Sequence, residues 1–379
     1  MAFLGRQTVI DRTNYADMSK FKDTTAYTLY HVVFNGLKRP GLSEDFLFTY
    51  DGKKAPSLDY AIENGWTGRR FMDSGEFPAH KKGIRLDQDA YIDYVNKMGD
   101  QLDVMCCMDY IPRESDGPDW MRISAEVTWR DYLYQRSKIR PEVRDKFIYI
   151  IHIEDVKNLL PRALEYRDEL GMPIRYLGAG LALSDKQLRL NQGALYNEVF
   201  DRYNYTGQCH GFGLQVKSVV EQLPFLTSSD SSSAVREQAS GIAFINGDKI
   251  KIAEDTQMHH KGEFTEAQYA QIEPFLRQEA AAMGIDFDLA RVNAAERYLW
   301  NCRERSKYIK ALDPTVPPYM TRKKGLLASM QKAQVTDWRK ALTYSPELEA
   351  EIQKRQWPAG LKWWLENKDK LTFVEGPWC

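Results

Sequence analysis

Residues 147–152 read Phe-Ile-Tyr-Ile-Ile-His. Five apolar residues in a row leave no polar face at the two-residue period of a strand, so a strand here is covered on both sides, as in parallel sheets. The polar His152 follows directly. Runs of the same kind recur at 46–50, 69–72, 103–108, 174–178, 208–212, 225–228 and 242–245. The intervals between them are long enough for crossover helices. Residues 90–98 carry the stripe Tyr91, Tyr94, Val95 and Met98, and 156–170 and 185–203 have amphipathic spacing too. About eight strand–helix units in roughly 250 residues predict an α/β fold, a (β/α)8 TIM-like barrel spanning 1–290. An open doubly wound sheet is the competing topology, but no G-x-G-x-x-G or G-x-x-x-x-G-K-[ST] follows any of the runs.

Residues 291–379 change character and predict a helical, basic, Trp-rich extension. The whole chain of 379 residues is 43% hydrophobic and 28% charged, a globular composition rather than a disordered one. Its 52 Lys+Arg against 53 Asp+Glu exclude a uniformly basic surface for nucleic acid. The charge is segregated, however. Between 303 and 340 the cations Arg303, Arg305, Lys307, Lys310, Arg322, Lys323, Lys324, Lys332, Arg339 and Lys340 face only Glu304, Asp313 and Asp337. This patch is a candidate for phosphate contacts, against the reading of a solvated helical face. Trp300, Trp338, Trp357, Trp363, Trp364 and Trp378 lie in the same part of the chain, as core or as stacking platforms. An odd count of five cysteines is poor material for a disulfide framework and fits a reducing cytoplasm. Residues 1–23 contain no continuous apolar h-region, and no apolar run approaches the ~20 residues that span a bilayer, so neither secretion nor a membrane is expected.

In a barrel, function sits where the strands end at their carboxyl side. Asp73 follows 69–72 and opens Asp73-Ser74-Gly75-Glu76-Phe77-Pro78, Asp109 follows 104–108, and His152 follows 147–151. Gly178-Ala179-Gly180 follows 174–177, His210-Gly211-Phe212-Gly213 ends another run, and Asp230 lies in the serine cluster 228–233. Each acid by itself also reads as a turn or helix-cap residue. Three carboxylates at one mouth suit either divalent-metal binding or displacement at a sugar anomeric carbon. Barrel metal hydrolases carry closely spaced histidines, whereas the only adjacent pair among the six here, His259-His260, lies away from the strand ends. Sugar chemistry is therefore ahead. Cys106 and Cys107 would face opposite sides of a strand and cannot jointly chelate one ion.

These residues also carry a family resemblance. Asp73-Ser74-Gly75-Glu76-Phe77 resembles the Asp-Ser-Gly-Gly-aromatic motif of tRNA-guanine transglycosylases, and 102–112 resembles their strand ending in a base-recognising aspartate. Ala179-Gly180-Leu181-Ala182 resembles their Gly-Gly-Leu turn, Gly211-Phe212-Gly213 their Gly-Val-Gly, and Ser229-Asp230-Ser231-Ser232-Ser233-Ala234 the element carrying the nucleophile. The five motifs keep the family's order between about residues 46 and 245. The departures are as specific. The C-x-C-x-x-C zinc run is absent, so no zinc of that kind and no other cofactor is expected. Glu76 replaces the motif's second glycine, Pro78 its following Gln, and His152 the Gln after the fourth strand. The branch most similar is the DNA-directed one, the 7-deazaguanine DNA transglycosylases of phages and bacterial modification islands.

The resemblance implies exchange of guanine in DNA for a free 7-deazaguanine base such as preQ0 or a derivative. In it Asp230 is the nucleophile and Asp73 the proton carrier. Asp109 accepts from the guanine N1–H and amine, and Ser74, Gly178, Gly180, Leu181 and His152 read the carbonyl edge. Phe77 and His210, with Gly211 beside it, hold the ring. A tRNA-directed enzyme, and a non-catalytic nucleic-acid-binding module on a decayed barrel, are the alternatives; the oligomeric state is left open.

Overall fold

The computed structural model describes residues 27–112, 119–152, 156–180, 186–205, 207–214, 223, 225–253, 266–310, 338–341 and 345–375. Eight strands pair in parallel in chain order, and the last returns to the first: β1 (Thr28–Val32), β2 (Phe46–Thr49), β3 (Arg70–Asp73), β4 (Val104–Cys106), β5 (Phe147–Ile151), β6 (Tyr176–Ala179), β7 (Gln208–Gly211) and β8 (Ser228–Ser231). Closure is set by the β1–β8 register, in which Tyr30 lies opposite Asp230. The chain is a (β/α)8 barrel.

Alternation along the strands sorts the core into two layers. Tyr30, Leu47, Phe71, Val104, Cys106, Ile148 and Tyr176 point inward and fill the barrel. Leu29, Phe46, Phe48, Met72, Met105, Phe147, Tyr149, Ile151, Leu177 and Cys209 point outward into the layer shared with the helices. Burial of both faces is what made the runs continuously apolar. Cys106 and Cys107 fall into different layers.

Two of the strand expectations change. The run at 242–245 is not a barrel strand: β9 (Ile242–Ile245) and β10 (Asp248–Lys251) form an antiparallel hairpin. The Asn246-Gly247 turn between them has φ of 49° and 104°, the backbone that favours a tight hairpin over a crossover. The barrel's first strand, β1, was not among the runs. Its sequence is interrupted by His31, which is fully buried against a later helix, its ring held neutral by burial that lowers its pKa to about 3.

The first half of the barrel is ringed by α1 (Pro56–Glu63), α2 (Glu76–Lys81), α3 (Gln88–Met98), α4 (Trp120–Lys138), α5 (Val156–Glu165) and α6 (Lys186–Tyr203). Helix α3 starts where the Asp87 carboxylate accepts from the Asp89 and Ala90 amides. After β8 come α7 (Ser233–Ala239), the hairpin, α8 (Glu266–Ala282), α9 (Phe287–Val292) and α10 (Ala294–Lys310), followed by α11 (Trp338–Ala341), α12 (Pro346–Arg355) and α13 (Pro358–Asn367).

Residue 290 is no boundary in the packing. Helix α10 lies on β1, α7 and β9: the Tyr298 hydroxyl donates to the Val32 carbonyl at 2.7 Å, and His31 Nε2 meets Ser306 Oγ at 2.9 Å. The Asn301 side chain clasps β9, donating to the Ile242 carbonyl and accepting from the Phe244 amide. Helices α12 and α13 cover α4. There Arg130 makes a two-point ion pair with Glu349 at 2.7–2.8 Å and lies over the Trp364 ring. At Gly360 a Cβ would stand 2.5 Å from Asp131 Oδ1, so only glycine permits this approach. Helix α4 is thus enclosed on both sides, and its buried Glu126 bridges Arg130 and Arg162. No helix among the described residues is long and apolar enough to cross a membrane.

Glu237 on α7 binds the buried Arg305 of α10 at 2.5 Å and also Lys249 of β10 at 3.1 Å. Removing one side of a buried pair leaves an uncompensated charge. Glu237→Ala is therefore expected to destabilise the fold by about 3–5 kcal/mol, measured by denaturant unfolding.

Candidate active site

Strand parity brings the polar strand ends to one mouth. Asp73 shares the inward face of Phe71, and Asp230 that of Ser228; His152 continues the inward set of Ile148 and Ile150. Asp109 follows β4 by three residues. The turn after Asp73 depends on Gly75, which has φ +79°; a Cβ there would stand 2.0 Å from the Tyr50 carbonyl oxygen. This lets α2 begin at Glu76, directly beside the mouth.

The mouth is electrostatically crowded. Burial, then the charges of Asp109 and Asp230, push the Asp73 carboxyl up to about 7 against the Gly75 and Ser74 amides that favour its ionised form. Burial raises Asp109 to about 6. Glu76 is raised to about 7 by burial and by Asp109, opposed by Arg85 and the Leu86 amide. Asp230 is held differently: its Oδ1 accepts from the Gly213 amide at 2.7 Å and lies 3.3 Å from His210 Nε2.

Several residues from the sequence reading occupy other roles. Phe77 and His210 do not form the two sides of a ring clamp. Phe77 is 58% exposed with Lys81 Nζ 4.1 Å from its ring centroid, whereas His210 has no exposed surface and packs its ring on Phe71 and Phe212. The half-buried Phe212, lying where a Cβ on Gly178 would fall, is the aromatic at the mouth. Gly178 and Gly211 sit in the strand ladder and the Gly180 amide donates to the Ile151 carbonyl, so these amides hold backbone. Buried Ser74 receives the Glu76 amide at 3.5 Å, ahead of Gly75, the residue that precedes α2. Leu181 lies outside the described residues.

His152 is committed to α4. Ser124 Oγ gives its proton to the Tyr110 carbonyl at 2.7 Å, so it can only accept from His152 Nδ1, 3.0 Å away. Thr128 Oγ1 accepts from the Tyr110 amide and donates to His152 Nε2 at 3.0 Å. The ring is a neutral Nδ1–H tautomer, its pKa lowered to about 4 by burial, and Asp109 Oδ2 stands 3.9 Å off. Its place is thus to fix the Asp109-Tyr110 turn rather than to read a base edge. Ser124 and Thr128 were not singled out from sequence; their spacing of four on a buried helix was the available signal.

Four of the ten cations of the basic patch have described side chains, and each of the four is paired within the protein. Arg303 binds Glu44 at 2.6 Å, Arg305 binds Glu237, Lys307 binds Glu279 and Glu304, and Arg339 binds Glu165 and Glu375. These four cations neutralise the protein's own acids. Arg322, Lys323, Lys324 and Lys332 lie outside the described residues, as do the side chains of Lys310 and Lys340. Trp300, Trp338 and Trp364 are buried, and Trp357 and Trp363 pack on the core.

Beside Asp109 opens a cavity of about 510 Å³, lined among others by Glu76, Arg85, Gln88, Asp131, Lys354 and Arg355. Arg85 spans it, pairing with Asp131 at 3.7 Å and facing the Tyr110 and Trp357 rings. Helix α12 therefore walls the mouth, a contribution of the C-terminal segment that its charge pattern did not suggest. Among the described residues no group of three His, Cys, Asp or Glu side chains is placed to hold a metal ion.

No protein-family model and no curated protein matches the chain.

The raised acids fix a pH dependence. Between about pH 4 and 7 the folded protein keeps protons on Asp73 and Glu76 that the unfolded chain has lost, so stability falls as pH rises through this window. Asp73→Asn and Glu76→Gln remove the burden. Each is expected to raise Tm by a few degrees at pH 8 and to leave it unchanged near pH 4, as followed by calorimetry at both pH values.

Proposed function

We propose that the protein is a base-exchanging transglycosylase that replaces guanine in DNA with a free 7-deazaguanine base such as preQ0 or a derivative. The observation that carries this reading is the unequal treatment of the acids at one barrel mouth. Asp73 is pushed to about 7 by its neighbours, while Asp230 sits beside it on two hydrogen-bond donors. Two carboxyl groups in different environments are what a double displacement at an anomeric carbon requires.

In this mechanism a carboxylate oxygen of Asp230 attacks C1′ as the C1′–N9 bond of guanosine breaks, giving a sugar–aspartyl ester. Asp73, protonated, delivers its proton to the departing guanine. The resulting Asp73 carboxylate then takes the N9 proton of the incoming base as N9 attacks C1′ and the Asp230 carboxylate leaves. Two inversions give retention, and the proton returns to Asp73. Asp109 in its ionised form is suited to accept from the guanine N1–H and amine. A target base must leave its stack to reach these groups.

DNA rather than tRNA as the polymer rests on the sequence resemblance and the missing zinc run. The decayed-barrel alternative is disfavoured by the cost of keeping buried acids together, which a binding module has no need to bear. The test is incubation with guanine-containing DNA or tRNA and candidate 7-deazaguanines, followed by nucleoside mass spectrometry. Modified base is expected in DNA, Asp230→Ala is expected to abolish it, and Asp230→Asn to leave DNA binding intact. Exchange retained in Asp230→Ala defeats the mechanism.

A further inference from the structure

We propose that His210 is the positioning residue of Asp230, the last member of a hydrogen-bonded relay from Tyr176 through Ser228 that presents one carboxylate oxygen to the sugar. The inference rests on the reading of Asp230 as nucleophile. Its basis is geometric. Tyr176 Oη lies 2.9 Å from Ser228 Oγ, Ser228 Oγ 2.9 Å from His210 Nδ1, and His210 Nε2 3.3 Å from Asp230 Oδ1.

The direction of the relay follows from donor arithmetic. An ionised carboxylate only accepts, so His210 carries its proton on Nε2 and its Nδ1 must accept. Ser228 then donates to Nδ1, which leaves its oxygen to accept from the Tyr176 hydroxyl. All four groups are placed by the barrel: His210 is in register with Ser228, and Ser228 and Asp230 share the inward face of β8. Phe71 at 4.5 Å and Phe212 at 4.8 Å between ring centroids prevent the imidazole from turning.

The consequence lies on Asp230. The Gly213 amide and His210 both address Oδ1, and among the described residues no donor reaches Oδ2. One oxygen is thus anchored and the other is left as the attacking atom, with the carboxylate plane fixed before substrate arrives. Anchoring of this kind acts on the rate of ester formation, not on affinity for the free base.

Two measurements test it. In full-length protein labelled with ¹⁵N-histidine, long-range ¹H–¹⁵N correlations assigned with His210→Gln are expected to show His210 as the Nε2–H tautomer, with Nδ1 shifting in Ser228→Ala and Tyr176→Phe. An Nδ1–H tautomer or a doubly protonated ring overturns the relay. In single-turnover formation of the covalent DNA adduct, His210→Met, which keeps bulk but no donor, is expected to lose about 10²-fold in rate with an unchanged KM for the base. His210→Gln, which restores a donor, is expected to recover about tenfold of that loss. A wild-type rate in His210→Met, or equal losses in both variants, overturns the proposal. Should His210→Met fail to fold, Tyr176→Phe and Ser228→Ala conserve the packing, and wild-type rates in both overturn it. If the wild-type protein forms no adduct and exchanges no base in DNA or tRNA, the functional reading fails, while the tautomer measurement still decides whether His210 holds Asp230.

Discussion

Parallel pairing in a closed ring sends the carboxyl end of every strand to the same rim, and the rest of this molecule is arranged around that constraint. Asp73, Asp109 and Asp230 come from three different strands, yet the register leaves them no way to separate. Below them the inward positions hold Tyr30, Phe71, Cys106 and Ile148, so apart from the Tyr176–Ser228–His210 chain the acids stand on a floor that solvates them poorly. Their charges are relieved in two ways. Asp73, Glu76 and Asp109 shift upward toward neutrality, whereas Asp230 is met by an amide and an imidazole. The difference among the acids follows from burial and neighbouring charges on one side and from the donors on Asp230 on the other.

The barrel was legible in the sequence because burial of both strand faces leaves short, continuous apolar runs, whose length and whose recurrence at intervals long enough for crossover helices mark them as parallel strands where alternation is lacking. Six of the apolar runs overlap barrel strands for that reason, whereas the run at 225–228 only leads into β8, whose own residues are Ser-Ser-Asp-Ser. β1 escaped notice because His31 sits in its middle, and a buried neutral histidine paired to Ser306 looks, in sequence, like a polar interruption. The run at 242–245 has strand composition but is followed by Asn246-Gly247, so turn chemistry outweighed composition. At the site, the acids could be listed from their place after strands. What could not be read was the occupancy of the neighbouring groups: whether His152 or His210 has a nitrogen to spare depends on Ser124, Thr128 and Ser228, which are close only in space.

The C-terminal charge excess shows the same limit in electrostatic form. A window from 303 to 340 counts Arg303, Arg305, Lys307 and Arg339 as surplus because their partners Glu44, Glu237, Glu279 and Glu165 lie outside it. In space those cations tie α10 and α11 to the barrel. The segment contributes to the mouth by another route, through α12, whose Lys354 and Arg355 line the cavity next to Asp109. The wall beside Asp109 is therefore built from residues 76–131 together with α12.

The crowding of the acids also bears on proton movements along the proposed pathway. Burial and the charges of Asp109 and Asp230 raise Asp73, so charged neighbours help it keep the proton it must deliver. A charged Asp109 is also the form that accepts from the N–H edge of guanine, so both roles draw on the same arrangement. Glu76, raised to about 7 by burial and by Asp109, lines the same cavity as Asp109, and its charge would raise both Asp109 and Asp73 further. Burial of Glu76 therefore limits what a fourth carboxyl adds to that crowding, because the same burial disfavours its charge.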